Sequence, residues 1–140
     1  TMSLVVHLVD RPRAFAEATR VLAGEGRLAI VTFAPAHFDT YWLNPWFPSI
    51  AELDRKRFPD ADELQVELAA AGLARVTVVP FGWVEEIDRE TALARVRGRH
   101  ISTFDLLGRD EIEEGTTRAE RELPERIEVR LQQLVVVAAR

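Results

Sequence analysis

The sequence predicts an α/β fold built on a parallel sheet, and three observations carry that prediction. A helical apolar pattern over Pro12–Leu22 is stopped by Gly24 and Gly26 and followed at once by a continuous apolar run, Arg27–Phe33. The same helix, glycine and strand succession recurs between Asp60 and Val79. The chain then closes on a long stretch from Arg126 to Ala138 that alternates at first and turns wholly apolar later. Strands apolar on both faces need cover on both faces, which is the α/β layer arrangement.

Each element follows from local chemistry. In the first helix Phe15, Ala18, Val21 and Leu22 share one face, and Pro12 suits a first turn because its missing N–H would have no partner there. Arg27–Phe33 contains Ile30, Val31 and Thr32, whose β-branching favours a strand. Asp60 with Glu63 three residues on is a capping box, Leu64, Leu68 and Ala71 form the stripe behind it, and Gly72 ends the helix. Arg75–Val79 is the next strand.

Two stretches interrupt this alternation. Residues 34–59 carry Pro35, Phe38, Tyr41, Trp42, Pro45, Trp46, Phe47, Pro48, Phe58 and Pro59, and are read as an aromatic lid or loop insertion. Residues 88–124 read as two helical stretches around Ile101–Leu107, ended by Pro124, a helical cap inserted before the last strand. With 140 residues the expectation is a single partial α/β domain over 1–140. The opening residues, Thr1–Val6, lead straight into a strand with nothing before it, so an apolar sheet edge is expected to lie open.

Composition removes several function classes. Cysteine is absent, which excludes disulfides, thiolate zinc sites and a cysteine nucleophile. A net charge of −5 with interspersed signs gives nucleic acid little to hold. No run approaches the roughly 20 apolar residues of a membrane span, so no membrane partner is expected and the address expected is cytoplasmic. The acidic run Asp110–Glu114 reads as a solvated helix start that suits the helix dipole, and no metal is expected.

The order Ser3–Asp10, helix, Arg20–Thr32, loop, capped helix, strand, cap, strand resembles the C-terminal half of class I S-adenosylmethionine-dependent methyltransferases, of the small-molecule type with a methyltransferase domain of the 11/25 kind. The segment RVLAGEGRLAIVTF, Arg20–Phe33, is similar to that family's glycine turn into its fifth strand, with Gly26 at the second glycine. His7 followed by Leu8 and the entry Pro59–Leu64 add to the likeness, which spans nearly the whole chain.

The resemblance implies the C-terminal part of a Rossmann-like seven-stranded sheet, S-adenosylmethionine as cofactor and a small-molecule acceptor. Thr1, Met2, Ser3 and His7 match the end of the fourth strand and the turn after it, and are the expected donor-binding residues. His7 is the candidate catalytic base. Tyr41, Trp42, Trp46 and Phe47 are the candidate acceptor-binding residues, because aromatic side chains give large contact areas with polar handles. His37 and His100 read as loop or cap residues. The chain departs from the family in having no glycine-rich turn after a first strand and no acidic residue ending a second. The expectation is therefore a truncated methyltransferase, inactive alone. The alternative is a non-catalytic, small-molecule-binding or scaffold module that forms a homodimer through an exposed sheet edge. A piece of a nucleotide-binding dehydrogenase is disfavoured, since its glycine fingerprint is absent.

Overall fold

A computed structural model describes all residues, 1–140. In chain order it contains β1 (Met2–Ser3), a 3-10 turn (Val6–Leu8), α1 (Arg11–Val21), β2 (Arg27–Phe33), α2 (Pro35–Asp39), α3 (Ser49–Arg57) and α4 (Ala61–Ala70). There follow β3 (Arg75–Asp88), α5 (Arg89–Arg97), a second 3-10 turn (Ser102–Leu106), α6 (Arg109–Glu122) and β4 (Arg126–Ala139). No helix is long and apolar enough to cross a membrane.

The strand order is β1-β2-β4-β3. β1 runs parallel to β2, with Met2 opposite Ile30 and Ser3 opposite Val31. β4 is antiparallel to β2, from Arg27 opposite Ala139 to Phe33 opposite Gln133. The sheet is thus four-stranded and mixed, where the apolar strands pointed to a parallel one. An apolar run reports burial but not direction, so β4 could not be oriented from its sequence.

The single domain expected over 1–140 divides into two compact units. The first comprises residues 1–35, 57–82 and 132–140, and the second 36–56 and 83–131. Each has its own apolar cluster. In the first unit Leu28 and Ile30 of β2 and Val136 and Ala138 of β4 pack with Phe15 of α1 and Leu64 and Leu68 of α4. The opposite face of β2, Ala29, Val31 and Phe33, is half-buried. Arg11 of α1 grips Glu67 of α4 with two hydrogen bonds of 2.7 Å each, both side chains one-quarter exposed.

The caps of α4 form as expected. The Asp60 carboxylate accepts from the Glu63 N–H at 2.9 Å, and the Glu63 carboxylate accepts from the Asp60 N–H at 3.0 Å. At the other end the Gly72 N–H donates to Ala69 and the Leu73 N–H to Leu68, the paired bonds of a Schellman stop. That stop holds Gly72 at φ +87°, which costs an L-residue about 1–2 kcal/mol. Gly72→Ala is expected to lower the unfolding free energy by about 1 kcal/mol in urea titration, since the space beyond its Cα is open to a methyl group.

Two segments differ from the sequence expectation. Residues 34–59, read as irregular, contain α2 and α3. The stripe of α3 is broken in sequence by Asp54, which is nonetheless buried and accepts a 2.6 Å hydrogen bond from Thr103. A buried carboxylate in the apolar row hides the helical period. The strand expected to end at Val79 continues to Asp88, through Pro80 and Gly82. β3 lies at the end of the strand order, where a proline removes no ladder bond that a neighbour needs.

Candidate functional site

The site is built by the first unit, at the carboxyl ends of the parallel pair β1 and β2. Open α/β sheets bind ligands beyond the carboxyl ends of their parallel strands. β1 ends at Ser3, Leu4 follows at φ +54°, and its N–H donates to Val31 at 2.8 Å. The 3-10 turn is anchored by Val6, which is fully buried, and closed by the Leu8 N–H on the Val5 carbonyl. His7 is thereby fixed between a buried neighbour and the end of β1.

The His7 imidazole stacks on Phe58, with ring centroids 3.7 Å apart and planes at 24°. Phe58 meets Phe33, the last residue of β2, at 5.7 Å and 60°. His7 Nδ1 is buried and has no hydrogen-bond partner within the protein. Burial, and after it the positive field of Arg57, push the imidazole down from 6.5 to about 4. At neutral pH the ring is uncharged, so one nitrogen carries a proton and the other is free to accept one. The cluster offers a hydrogen-bond acceptor, two aromatic faces and one cation.

The other expected donor-binding residues fall on or beside β1. Thr1 and Ser3 are exposed, while the Met2 side chain packs against the apolar cluster of the first unit. Met2 can therefore reach a ligand only through its backbone. Phe33, Arg57 and Phe58 were not singled out from sequence. The strand-end rule would have found Phe33, the last residue of a confidently placed strand; Phe58 and Arg57 come from a remote stretch that only the tertiary fold brings in.

The four aromatics expected to line an acceptor pocket belong to the core of the second unit instead. Phe47 is fully buried and meets Phe104 edge-on at 5.0 Å, which leaves no face for a ligand. Tyr41 and Trp42 are 8% and 7% exposed and pack with Leu43, Ile50 and Phe104. Trp46 is half-buried against the same cluster. The correction has a simple physical cause, since these large side chains lie in a unit whose helices supply few other bulky apolar residues and so serve as its core.

His37 and His100 also lie in the second unit and have structural roles. His100 Nδ1 bonds the Arg95 carbonyl at 3.2 Å and so must be the protonated nitrogen. The Tyr41 hydroxyl then donates to the bare Nε2 at 3.2 Å. The His100 N–H bonds the same Arg95 carbonyl, and the pair closes the end of α5. His37 is 2% exposed, and burial, partly offset by a hydrogen bond with the Arg130 backbone, pushes it down to about 4.

No protein-family model matches the sequence, and no curated protein is similar to it in sequence. Among solved structures the fold is similar to that of a protein named "Putative methyltransferase from antibiotic biosynthesis pathway" from Anabaena variabilis ATCC 29413, with a TM-score of 0.67. The two are 21% identical over 95% of this chain and 63% of that one. This chain therefore spans less than two-thirds of the length of the protein it matches. A likeness at this identity establishes a methyltransferase-like fold.

Proposed function

We propose that this chain is the acceptor-side part of a class I methyltransferase that uses S-adenosylmethionine and modifies a small molecule. The observation that carries the reading is His7, a neutral histidine whose buried Nδ1 has no partner, fixed at the carboxyl end of β1. Buried polar atoms are paired in the great majority of proteins, and an unpaired one at a ligand-binding edge suits a group that a ligand completes. The methyltransferase-like fold supports the same reading by analogy.

The residues present suit one end of such a donor. When bound, the donor supplies an electrophilic methyl group on a sulfonium sulfur. The backbone of Thr1–Ser3 lies at the strand end beside His7, where the donor's methionine portion would rest. No glycine-rich turn follows β1, and neither β1 nor β2 ends in an acidic residue, so contacts to the nucleoside are assigned to residues outside these 140. The rest of the proposed seven-stranded sheet would carry them. His7 holds the acceptor by hydrogen bonding, Phe33 and Phe58 exclude water, and alignment of the attacking atom supplies most of the rate.

Calorimetry tests this reading. The complete gene product is expected to bind S-adenosylmethionine with a micromolar dissociation constant, and these 140 residues alone at millimolar strength or weaker. Micromolar binding by the 140 residues would overturn the division of the donor site. Failure of the complete product to bind would overturn the function.

A further inference from the structure

Resting on that reading, we infer that the site at the carboxyl ends of β1 and β2 takes acceptors that arrive already ionised, oxygen anions on a flat apolar frame, with Arg57 recognising the negative charge. The carboxylate of an aromatic or unsaturated acid is the simplest member of that class.

Geometry supplies the frame. His7 and Phe58 are stacked nearly parallel, and Phe33 closes against Phe58 from the end of β2. These half-buried faces suit a planar apolar body better than a polar or branched one. Arg57 is the covalent neighbour of Phe58, is itself half-buried, and its field is felt at His7. A guanidinium beside aromatic walls acts through a lower effective dielectric than one in open water. Its planar fork matches a carboxylate in two hydrogen bonds.

The chemistry of proton removal points the same way. An alcohol must lose a proton as it is methylated, and an amine arrives as a cation that must lose one first. His7 is too weak a base to take a proton from either at a useful rate, because an effective base has a pKa near the working pH. A cationic amine would also meet Arg57. A carboxylate needs no base: its oxygen forms a bond to the methyl carbon, the carbon–sulfur bond breaks, and the electron pair stays on sulfur. A methyl ester and a neutral thioether result, with no proton transferred. His7 is left to hold the acceptor in line.

The probes are benzoate, its neutral counterpart benzamide and the cation benzylammonium, added to the 140-residue chain and followed by the NMR signals of the His7 ring. Benzoate is expected to shift those signals and to bind at least tenfold more tightly than benzamide, with benzylammonium without effect. Arg57→Gln is expected to reduce benzoate to the benzamide level, and Arg57→Lys to restore most of the preference. Equal binding of benzoate and benzamide, no shift at His7, or a preference that survives Arg57→Gln would each overturn the inference. The comparison on the unaltered chain decides the matter even where a variant fails to fold. No methyl donor is present, so loss of the anion preference sinks the acceptor class alone. An intact preference in a protein that binds no donor would sink the methyltransferase reading and leave an anion site.

Discussion

Gly115→Ala is expected to lower the unfolding free energy by about 2 kcal/mol, one of the largest effects of any single methyl group in this chain. Gly115 lies inside α6 and is buried. A Cβ built there would sit 2.6 Å from Phe47 Cδ1 and 2.6 Å from the Trp46 carbonyl oxygen. Neither can move away easily, because Phe47 is wedged against Phe104 and the carbonyl belongs to the backbone. Alanine would gain up to about 1 kcal/mol in helix propensity, and the clash must exceed that gain for the result to be a loss. Urea denaturation checks the sign and size. Glu114→Ala, one residue away and exposed, is expected to change stability by no more than about 0.5 kcal/mol. Phe47→Leu in the Gly115→Ala background is expected to recover part of the loss, since the two sites share one contact and should not be additive. Stability unchanged in Gly115→Ala would mean that α6 does not approach Phe47 as described.

Stability is expected to fall steeply as pH drops from about 6.5 to about 4. All three histidines are held below their ordinary value, His7 and His37 at about 4, and burial is the first cause in each. Between those limits the unfolded chain binds protons that the folded chain refuses, so the unfolding free energy rises with pH across the window and is at full strength above it. His37 is nearly fully buried, and its fall from 6.5 to about 4 corresponds to about 3 kcal/mol. His7 is half-buried and solvent screening reduces its share to about 1 kcal/mol. His37→Gln should therefore flatten most of the slope in a series of urea midpoints taken at successive pH values. A curve that stays flat from pH 6.5 to 4 in the unaltered protein would contradict the burial of these rings.

What the sequence made legible follows from which signals are local. The capping box of Asp60 and Glu63, the Gly72 stop and the strand Arg27–Phe33 depend on neighbours a few residues apart, and they form where those neighbours stand. The direction of β4 depends on a partner about one hundred residues away and left no local mark. α3 was obscured because a buried Asp54 stands in its apolar row and is satisfied by Thr103, 49 residues on. The candidate site divides in the same way. His7 was found through its place beside a strand end, whereas its aromatic partner Phe58 and the cation Arg57 reach it through tertiary contact alone. Tyr41, Trp42, Trp46 and Phe47 misled because composition cannot tell a pocket wall from a core: the same large faces serve both, and only packing separates them.

The most direct test of the proposed site is transfer of a labelled methyl group. The complete gene product would be incubated with S-adenosylmethionine carrying tritium on its methyl group and a pool of small organic acids, beside the His7→Ala variant. The expected result is label in the small-molecule fraction, with the variant slower by roughly 10–100-fold, the size of an orienting hydrogen bond lost at the reacting centre. Absence of label in small molecules, or a His7→Ala variant as fast as the unaltered protein, would contradict a methyltransferase whose acceptor is held at the end of β1.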